Sequence, residues 1–182
     1  MTTSLHFRKA TPDDASSIQR LVEGAFRTYD TRPEWTGNAE LASAFRLDES
    51  EVKAKIENPD VVTLMGLDSS NALVASIEVS KRGAEVGRLS MIAVDDRYQR
   101  GGVGKQVLAY AEDYCRAAWG VKMFSLNALS TREALMAWYM RRGYSKTGET
   151  SPFPRERFPG MELPDDMCFV EMEKVFADEG NA

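Results

Sequence analysis

The stretch LSMIAVDDRYQRGGVGKQVLAYAE, residues 89–112, joins an apolar run to a glycine-rich loop and then to a helical pattern. Two common phosphate-binding loops do not fit it. A nucleotide P-loop needs glycine five residues before its Gly-Lys pair and serine or threonine after the lysine, and glutamine holds both places. A dinucleotide-binding loop needs a third glycine where this chain has Val107. The pattern that remains is Q/R-x-x-G-x-G, from Gln99 to Gly104, between a strand and a helix.

The composition indicates one globular domain. The chain has 182 residues, of which 43% are hydrophobic and 28% charged, and this length can bury a sizeable core. We predict a single domain over residues 1–182, with its core in 5–175 and a short polar tail in 176–182. The net charge of −5 provides no basic field, so we expect no nucleic-acid partner.

Cysteine and histidine usage and the hydropathy pattern exclude further classes. Cys115 and Cys168 are far apart, and the single histidine leaves no ligand set for structural zinc, so we expect no metal. Residues 1–20 lack the apolar segment of a signal peptide, and no long uncharged apolar run follows. This predicts no membrane partner and a cytoplasmic protein, with the nucleus as the alternative.

Hydrophobic periodicity predicts a mixed order of strands and helices. Strands are expected at 5–9, 61–67, 73–79, 89–94, 123–126, 144–147 and 167–175. Helices are expected from Thr11 to about Arg32, over 103–118 and over 131–142, with one or two short helices in 34–60. Residues 149–166 contain four prolines and are expected to form an irregular loop. Three consecutive strands before the first crossover favour an α+β (mixed α/β) fold over a doubly wound sheet.

Two motifs carry a resemblance to a known family. Residues 89–112, together with ALMAWYMRRGY at residues 134–144, resemble the GNAT superfamily of acyl-CoA-dependent N-acyltransferases. In element order the resemblance covers about Leu5 to Lys174. It implies a central, mostly antiparallel mixed sheet of about seven strands flanked by helices.

The resemblance also implies acetyl-CoA as cosubstrate. Glycines permit close backbone approach to a pyrophosphate, and amides at a helix N-terminus point towards an anion. The residues expected to bind the phosphates are Gln99, Arg100, Gly101, Gly102, Val103, Gly104 and Lys105. The preceding strand residues Ile92, Ala93 and Val94 are expected to contact the pantetheine arm and the thioester carbonyl. Many members have an asparagine where this chain has Thr131-Arg132, and Asn127 could compensate.

The catalytic residues follow from the same resemblance. Tyr139, four residues before Gly143, is the expected general acid for the leaving thiolate. Glu85 is the expected general base, with Glu78 as a second candidate. A water relay is the alternative, because Arg88 and Ser90 stand where many members have a strand carboxylate. Both cysteines are expected in the core, which favours direct transfer without a covalent enzyme intermediate.

The acceptor expected from the sequence is the primary amine of a small molecule. Acidic side chains in two segments would suit a cationic amine: Asp30, Glu34, Glu162, Asp165 and Asp166. The alternatives are a protein or peptide N-acetyltransferase, a non-catalytic acyl-CoA-binding module, or an interaction domain that binds no coenzyme. The protein is expected to be a monomer or a homodimer.

Overall fold

The computed structural model describes residues 3–27, 38–99 and 101–176, and within these ranges the chain forms seven strands and five α-helices. The strands are β1 (His6–Lys9), β2 (Val61–Leu67), β3 (Leu73–Arg82), β4 (Val86–Val94), β5 (Met123–Leu129), β6 (Ser145–Pro152) and β7 (Cys168–Val175). The helices are α1 (Ala15–Phe26), α2 (Ala39–Ser43), α3 (Glu49–Glu57), α4 (Val103–Trp119) and α5 (Glu133–Arg141). No helix in the described part of the chain is long and apolar enough to cross a membrane.

All seven strands form one sheet, in the order β1-β2-β3-β4-β5-β7-β6. The neighbours are antiparallel except for β4 and β5, which are parallel and are joined by α4. The prediction of an α+β fold with a mostly antiparallel mixed sheet of about seven strands is therefore confirmed.

Helices cover the two faces of the sheet unequally. Leu64 and Met65 are adjacent in β2, so their side chains lie on opposite faces. Leu64 belongs to the larger core cluster with α4, whereas Met65 packs with residues of α1 and α3. The second face is thus covered by α1 and α3 over β2, β3 and β4, and over β5 and β7 it carries polar side chains.

Several predicted boundaries differ from the structure: β3 and β5, for example, each end three residues later than predicted, at Arg82 and Leu129. α1 ends at Phe26 instead of near Arg32, and Gly24 in its last turn weakens the helix there. β4 begins at Val86, because its first residues pair with both β3 and β5. β6 continues to Pro152, although this part was expected to be irregular, because an edge strand tolerates a proline that donates no hydrogen bond.

Candidate active site

The sheet opens between β4 and β5. Their pairing covers Val86–Arg88 and Met123–Ser125, although β4 runs on to Val94 and β5 to Leu129. Beyond this point the facing strand edges can offer backbone N–H and C=O groups to an extended ligand. The predicted contact residues Ile92, Ala93 and Val94 lie on this free part of β4.

A β-bulge shapes the free part of β4. Ser76 of β3 pairs with Ala93 and Glu78 pairs with Ser90, so β4 has one extra residue between these pairs. Met91, inside the bulge, has φ of +52°, a left-handed conformation that is costly for a residue with a side chain. Ala93 is buried against the α1 side, whereas Ile92 and Val94 pack on the α4 side. Ala93 is buried and Ile92 and Val94 are partly buried, so this segment offers mainly its backbone to a ligand.

The glycine-rich loop leads directly into α4. Gly102 is the residue before the helix and has φ of +73°, a conformation that glycine adopts without strain. The first amides of α4, from Val103 to Lys105, have no preceding helical turn to accept their hydrogen bonds, and they point towards the space in front of the helix. The amide of Gly101 is instead used inside the loop, where it donates to the Tyr98 carbonyl at 3.1 Å.

The other predicted loop residues differ in their surroundings. Lys105 is exposed, and Gln99 is exposed with its side chain donating to Asp96 at 3.0 Å. Arg100 lies outside the described residues. Gly104 faces α5: the Trp138 ring lies 3.4 Å from the place that a Cβ of Gly104 would occupy. The glycine therefore lets α5 lie close to the first turn of α4.

Tyr139 lies on α5 beside Trp138. It is buried, and its ring makes edge contacts with Trp138 and Tyr144, with centroids 5.3 and 5.9 Å away. Burial raises the pKa of the Tyr139 phenol to about 12. The hydroxyl therefore remains protonated, and able to donate a hydrogen bond, throughout the physiological pH range.

The structure brings neither of the two expected bases to the opening as an unpaired carboxylate. Glu85 lies in the turn before β4, at the opposite end of that strand from the glycine-rich loop, and it is exposed and paired with Lys122 at 3.0 Å. Glu78 lies beside Ser90 but is paired with Lys55 at 3.2 Å. Of the acids suggested for acceptor binding, Asp30 and Glu34 lie outside the described residues.

An ion pair that the sequence analysis missed crosses the start of the opening. Arg88 is 7% exposed, and it donates to both carboxylate oxygens of Glu171 on β7, at 2.6 and 3.1 Å. It also donates to the Ser125 hydroxyl at 3.3 Å. The predicted coenzyme ligand Asn127 donates its side-chain amide to Glu171 at 3.4 Å. The signal in the sequence was Arg88 itself, because an arginine inside an apolar strand needs a buried partner.

A polar groove of about 620 Å³ lies over this ion pair. It is open to solvent and lies on the second face of the sheet, where α1 and α3 do not cover the strands. Its lining residues are Arg82, Val86, Ser125, Glu149, Thr150, Ser151, Glu171 and Glu173. The groove thus meets the opening between β4 and β5 at Ser125.

Comparison with known proteins agrees with this geometry. A sequence model of the acetyltransferase (GNAT) family matches residues 25–144. The chain belongs to this family. As a GNAT acetyltransferase it catalyses acetyl-CoA-dependent acyl transfer. A comparison with curated protein sequences found no match.

Solved structures share the GNAT fold at low sequence identity. The ribosomal-protein-S18-alanine N-acetyltransferase from Escherichia coli has a TM-score of 0.68 and 16% identity, with 98% of this chain and 99% of that chain covered. The PaiA N-acetyltransferase from Thermoplasma acidophilum, in complex with coenzyme A, has a TM-score of 0.65 and 17% identity, covering 95% and 99%. A Salmonella typhimurium protein with its cofactor acetyl-CoA has a TM-score of 0.67 and 14% identity, covering 99% and 98%.

The residues of this GNAT acetyltransferase fit acetyl-CoA. The free edge of β4 can pair with the amides of the pantetheine arm, and the first amides of α4 can hold the pyrophosphate. Just before α5, the Thr131 hydroxyl is buried and has no hydrogen-bond partner in the described structure, as expected for a group that a ligand satisfies. Residues 3–27, 38–99 and 101–176 contain no group of three or more potential metal ligands.

Proposed function

We propose that this GNAT acetyltransferase transfers the acetyl group of acetyl-CoA to the primary amine of a small molecule by direct attack. The observation that carries the proposal is the opening between β4 and β5, which connects the glycine-rich loop with the polar groove over β5 and β7. In the overall reaction R–NH₃⁺ and acetyl-CoA give R–NH–CO–CH₃, the free CoA thiol and one proton.

The free edge of β4 supplies the electrostatic part of the mechanism. A backbone N–H within Ile92–Val94 donates to the thioester carbonyl oxygen, and this hydrogen bond strengthens as negative charge develops on that oxygen. The bulge at Met91 sets the direction of these amides, because it interrupts the pairing with β3 directly before them.

Tyr139 assists the leaving group. The free thiol of coenzyme A has a pKa near that of cysteine, about 8.5, well below the value of about 12 for the buried phenol. Complete proton transfer from Tyr139 to the thiolate is therefore unfavourable. We assign Tyr139 the role of a hydrogen-bond donor that stabilises charge on sulfur while the C–S bond breaks.

Two features favour direct transfer with loss of the amine proton to water. The Cys115 thiol is buried, and desolvation raises its pKa to about 12, so it is a poor nucleophile. A primary ammonium has a pKa of about 10 and must lose a proton before it attacks. Since Glu85 lies at the far end of β4 and Glu78, although beside Ser90, is paired with Lys55, the open groove provides the route for this proton to solvent.

The segment after β6 supports a small acceptor. Phe153 is buried in it and stacks on Phe158, with ring centroids 5.4 Å apart, and it also contacts Phe169 of β7 at 5.7 Å. Arg155 donates to the carbonyls of Leu163 and Pro164. The segment is therefore packed on Phe169, which pairs with Leu129 at the end of β5, and we propose that it limits the approach to small acceptors. A protein N-terminus is the second candidate acceptor, favoured by the structural likeness to the S18-alanine N-acetyltransferase.

The test is release of free CoA thiol from acetyl-CoA with a panel of acceptors. The panel contains alkyl amines, polyamines, amino acids, arylamines, aminoglycosides and short peptides with a free N-terminus. We expect release that is stimulated by small primary amines. Release with peptides alone would replace the proposal by the second candidate, and binding of acetyl-CoA without release by any acceptor would contradict both.

A further inference from the structure

Glu171 lies on β7 beside the free part of β5, and its carboxylate is the one that the buried Arg88 binds at the start of the opening. It pairs with Asn127, two residues beyond Ser125, where the pairing of β4 and β5 ends. At about 3.3 Å per residue this places Glu171 about 7 Å further along the opening. Its side chain is 20% exposed and lines the groove.

Arg88 fixes the orientation of this carboxylate. Its guanidinium is buried, and it reaches across β5 to bind both oxygens of Glu171. Such a two-point contact sets the plane of the carboxylate as well as its position. A carboxylate has about four acceptor sites, and Arg88 and Asn127 use three of them. A remaining acceptor site is available to a donor that enters through the groove.

The charge around Glu171 favours a cation. Arg88 and Glu171 neutralise each other, and the remaining charged side chains of the groove are Glu149, Glu173 and Arg82. The structure gives no ion pair to either Glu149 or Glu173 among the described residues. The groove therefore carries one net negative charge, which matches one ammonium group.

We propose that Glu171, oriented by Arg88, binds the ammonium group of the acceptor, which is therefore a cationic primary amine that enters through the groove. This inference rests on the proposed function and adds the residue that positions the acceptor. It also accounts for Arg88 and Ser90 on β4, since the carboxylate facing the acceptor comes from β7 instead. Glu171 positions the amine, and the proton leaves to water in the groove.

The kinetic test measures KM for three charge-removing variants. The substrate is the best amine from the acceptor panel. Loss of a charge-assisted hydrogen bond in Glu171→Gln should raise KM for the amine about 10-fold or more and leave KM for acetyl-CoA within about 2-fold. Glu173→Gln, on the same strand and face, removes charge without this contact and should raise KM only about 2- to 3-fold. Asp113→Asn, on α4 at the other face of the sheet, should change neither constant. Equal effects of the Glu171 and Glu173 variants would overturn the inference.

Loss of Glu171 also leaves Arg88 buried without its partner, so folding needs its own control. The double variant Arg88→Gln/Glu171→Gln removes both charges and should regain thermal stability while the KM for the amine remains high. Glu171→Asp keeps the charge and should recover part of the affinity for the amine. Recovery of KM in the double variant would show that Glu171 has only a structural role and would overturn the inference.

A binding experiment separates this inference from the proposed function. The side-chain amide of Asn127 donates to Glu171 and is an NMR reporter of that carboxylate. Titration of the CoA-loaded protein with n-butylammonium chloride should shift the Asn127 amide signals, whereas butan-1-ol should not, and Glu171→Gln should abolish the shift. A shift without acetyl transfer to any amine would contradict the proposed function alone. Acetyl transfer to amines without this shift would overturn the inference alone.

Discussion

At the scale of single residues, Tyr139 combines deep burial with a hydroxyl that remains protonated. Tyr139→Phe keeps the ring that packs on Trp138 and Tyr144 but removes the donor to the leaving sulfur. We expect kcat to fall about 10- to 100-fold, while KM for acetyl-CoA and Tm change little. Steady-state kinetics and thermal unfolding check this.

The control for Tyr139 is Tyr110→Phe. Tyr110 lies on α4, and its ring stacks on Phe7 with centroids 4.2 Å apart. The kcat of the Tyr110→Phe variant should equal that of the unmodified protein. A Tyr139→Phe variant with undiminished kcat would show that the phenol only fills the core.

Gly102 and Gly120 give a matched pair of tests for the glycine-rich loop. Both stand at ends of α4 in the left-handed conformation, with φ of +73° and +61°. Alanine at either position should cost about 1–2 kcal/mol of stability. Only Gly102→Ala should raise the dissociation constant for acetyl-CoA, because it changes the start of the helix that faces the pyrophosphate.

Isothermal titration with acetyl-CoA measures the difference between the two glycine variants. Gly102→Glu, which adds bulk and negative charge, should abolish detectable binding. Equal affinity in the two alanine variants, or retained affinity in Gly102→Glu, would contradict the assignment of the loop to the phosphates.

At the scale of elements, the side chain of Asp14 links the start of α1 to β1 through hydrogen bonds. Its carboxylate accepts two hydrogen bonds from Arg8, at 2.7 and 2.8 Å, and one from the Thr11 amide at 2.8 Å. The Arg8 hydrogen bonds, followed by those from Thr11, lower the pKa of Asp14 from 3.8 to about 2 against the opposing effect of burial. Because the folded-state pKa is the lower one, this stabilisation is present above about pH 4 and is lost as the pH falls through about 2.

Asp14→Asn should therefore destabilise the protein in a pH-dependent way. We expect a loss of about 1–2 kcal/mol at pH 7, since Arg8 is partly exposed and its contribution is screened. The difference from the unmodified protein should shrink below about pH 4 in urea unfolding experiments. Asp13→Asn, the exposed neighbour, should follow the unmodified protein at every pH. A deficit of Asp14→Asn that persists unchanged to about pH 2 would contradict the assigned pKa.

Much of the fold could be predicted from local patterns, but the acceptor side of the site could not. Alternating apolar residues, turn residues and the glycine-rich loop each lie within a short window, so they specify strands and helices directly. Contact between Arg88 and Glu171 depends on strand order, which places residues 83 apart on either side of β5. Glu85 is the opposite case. It is adjacent to β4 in the sequence, but it lies at the end of that strand away from the glycine-rich loop. The polar sequence of β6 has no apolar alternation, and its end was therefore missed.

At the scale of the whole molecule, a buried polar cluster connects α4 to the last strand. The Tyr144 hydroxyl donates to one oxygen of Glu112 at 2.9 Å, and Lys174 donates to the other at 2.8 Å. Tyr144 is 2% exposed, and burial raises its pKa well above the ordinary value of 10. The cluster holds α4, the end of α5 and β7 together on the face opposite the groove.

Tyr144→Phe tests how much this cluster contributes to the stability of the protein. Glu112 would lose one of its two donors in a buried setting, so we expect stability to fall by about 1–3 kcal/mol. Tyr114→Phe, on α4 with its ring against Trp119, should change it by less than about 0.5 kcal/mol. Chemical denaturation measures both. Equal stability of the two variants would show that the hydroxyl of Tyr144 adds nothing.

The position of β7 has a consequence for the order of events during synthesis. β7 lies between β5 and β6, so neither of these strands has its shared neighbour until the ribosome has made residues 168–175. The same strand supplies Glu171, whereas β4 and the glycine-rich loop are finished some 70 residues earlier. A nascent chain can thus complete its coenzyme-binding half first, and it gains its acceptor-binding half only when translation reaches the last strand.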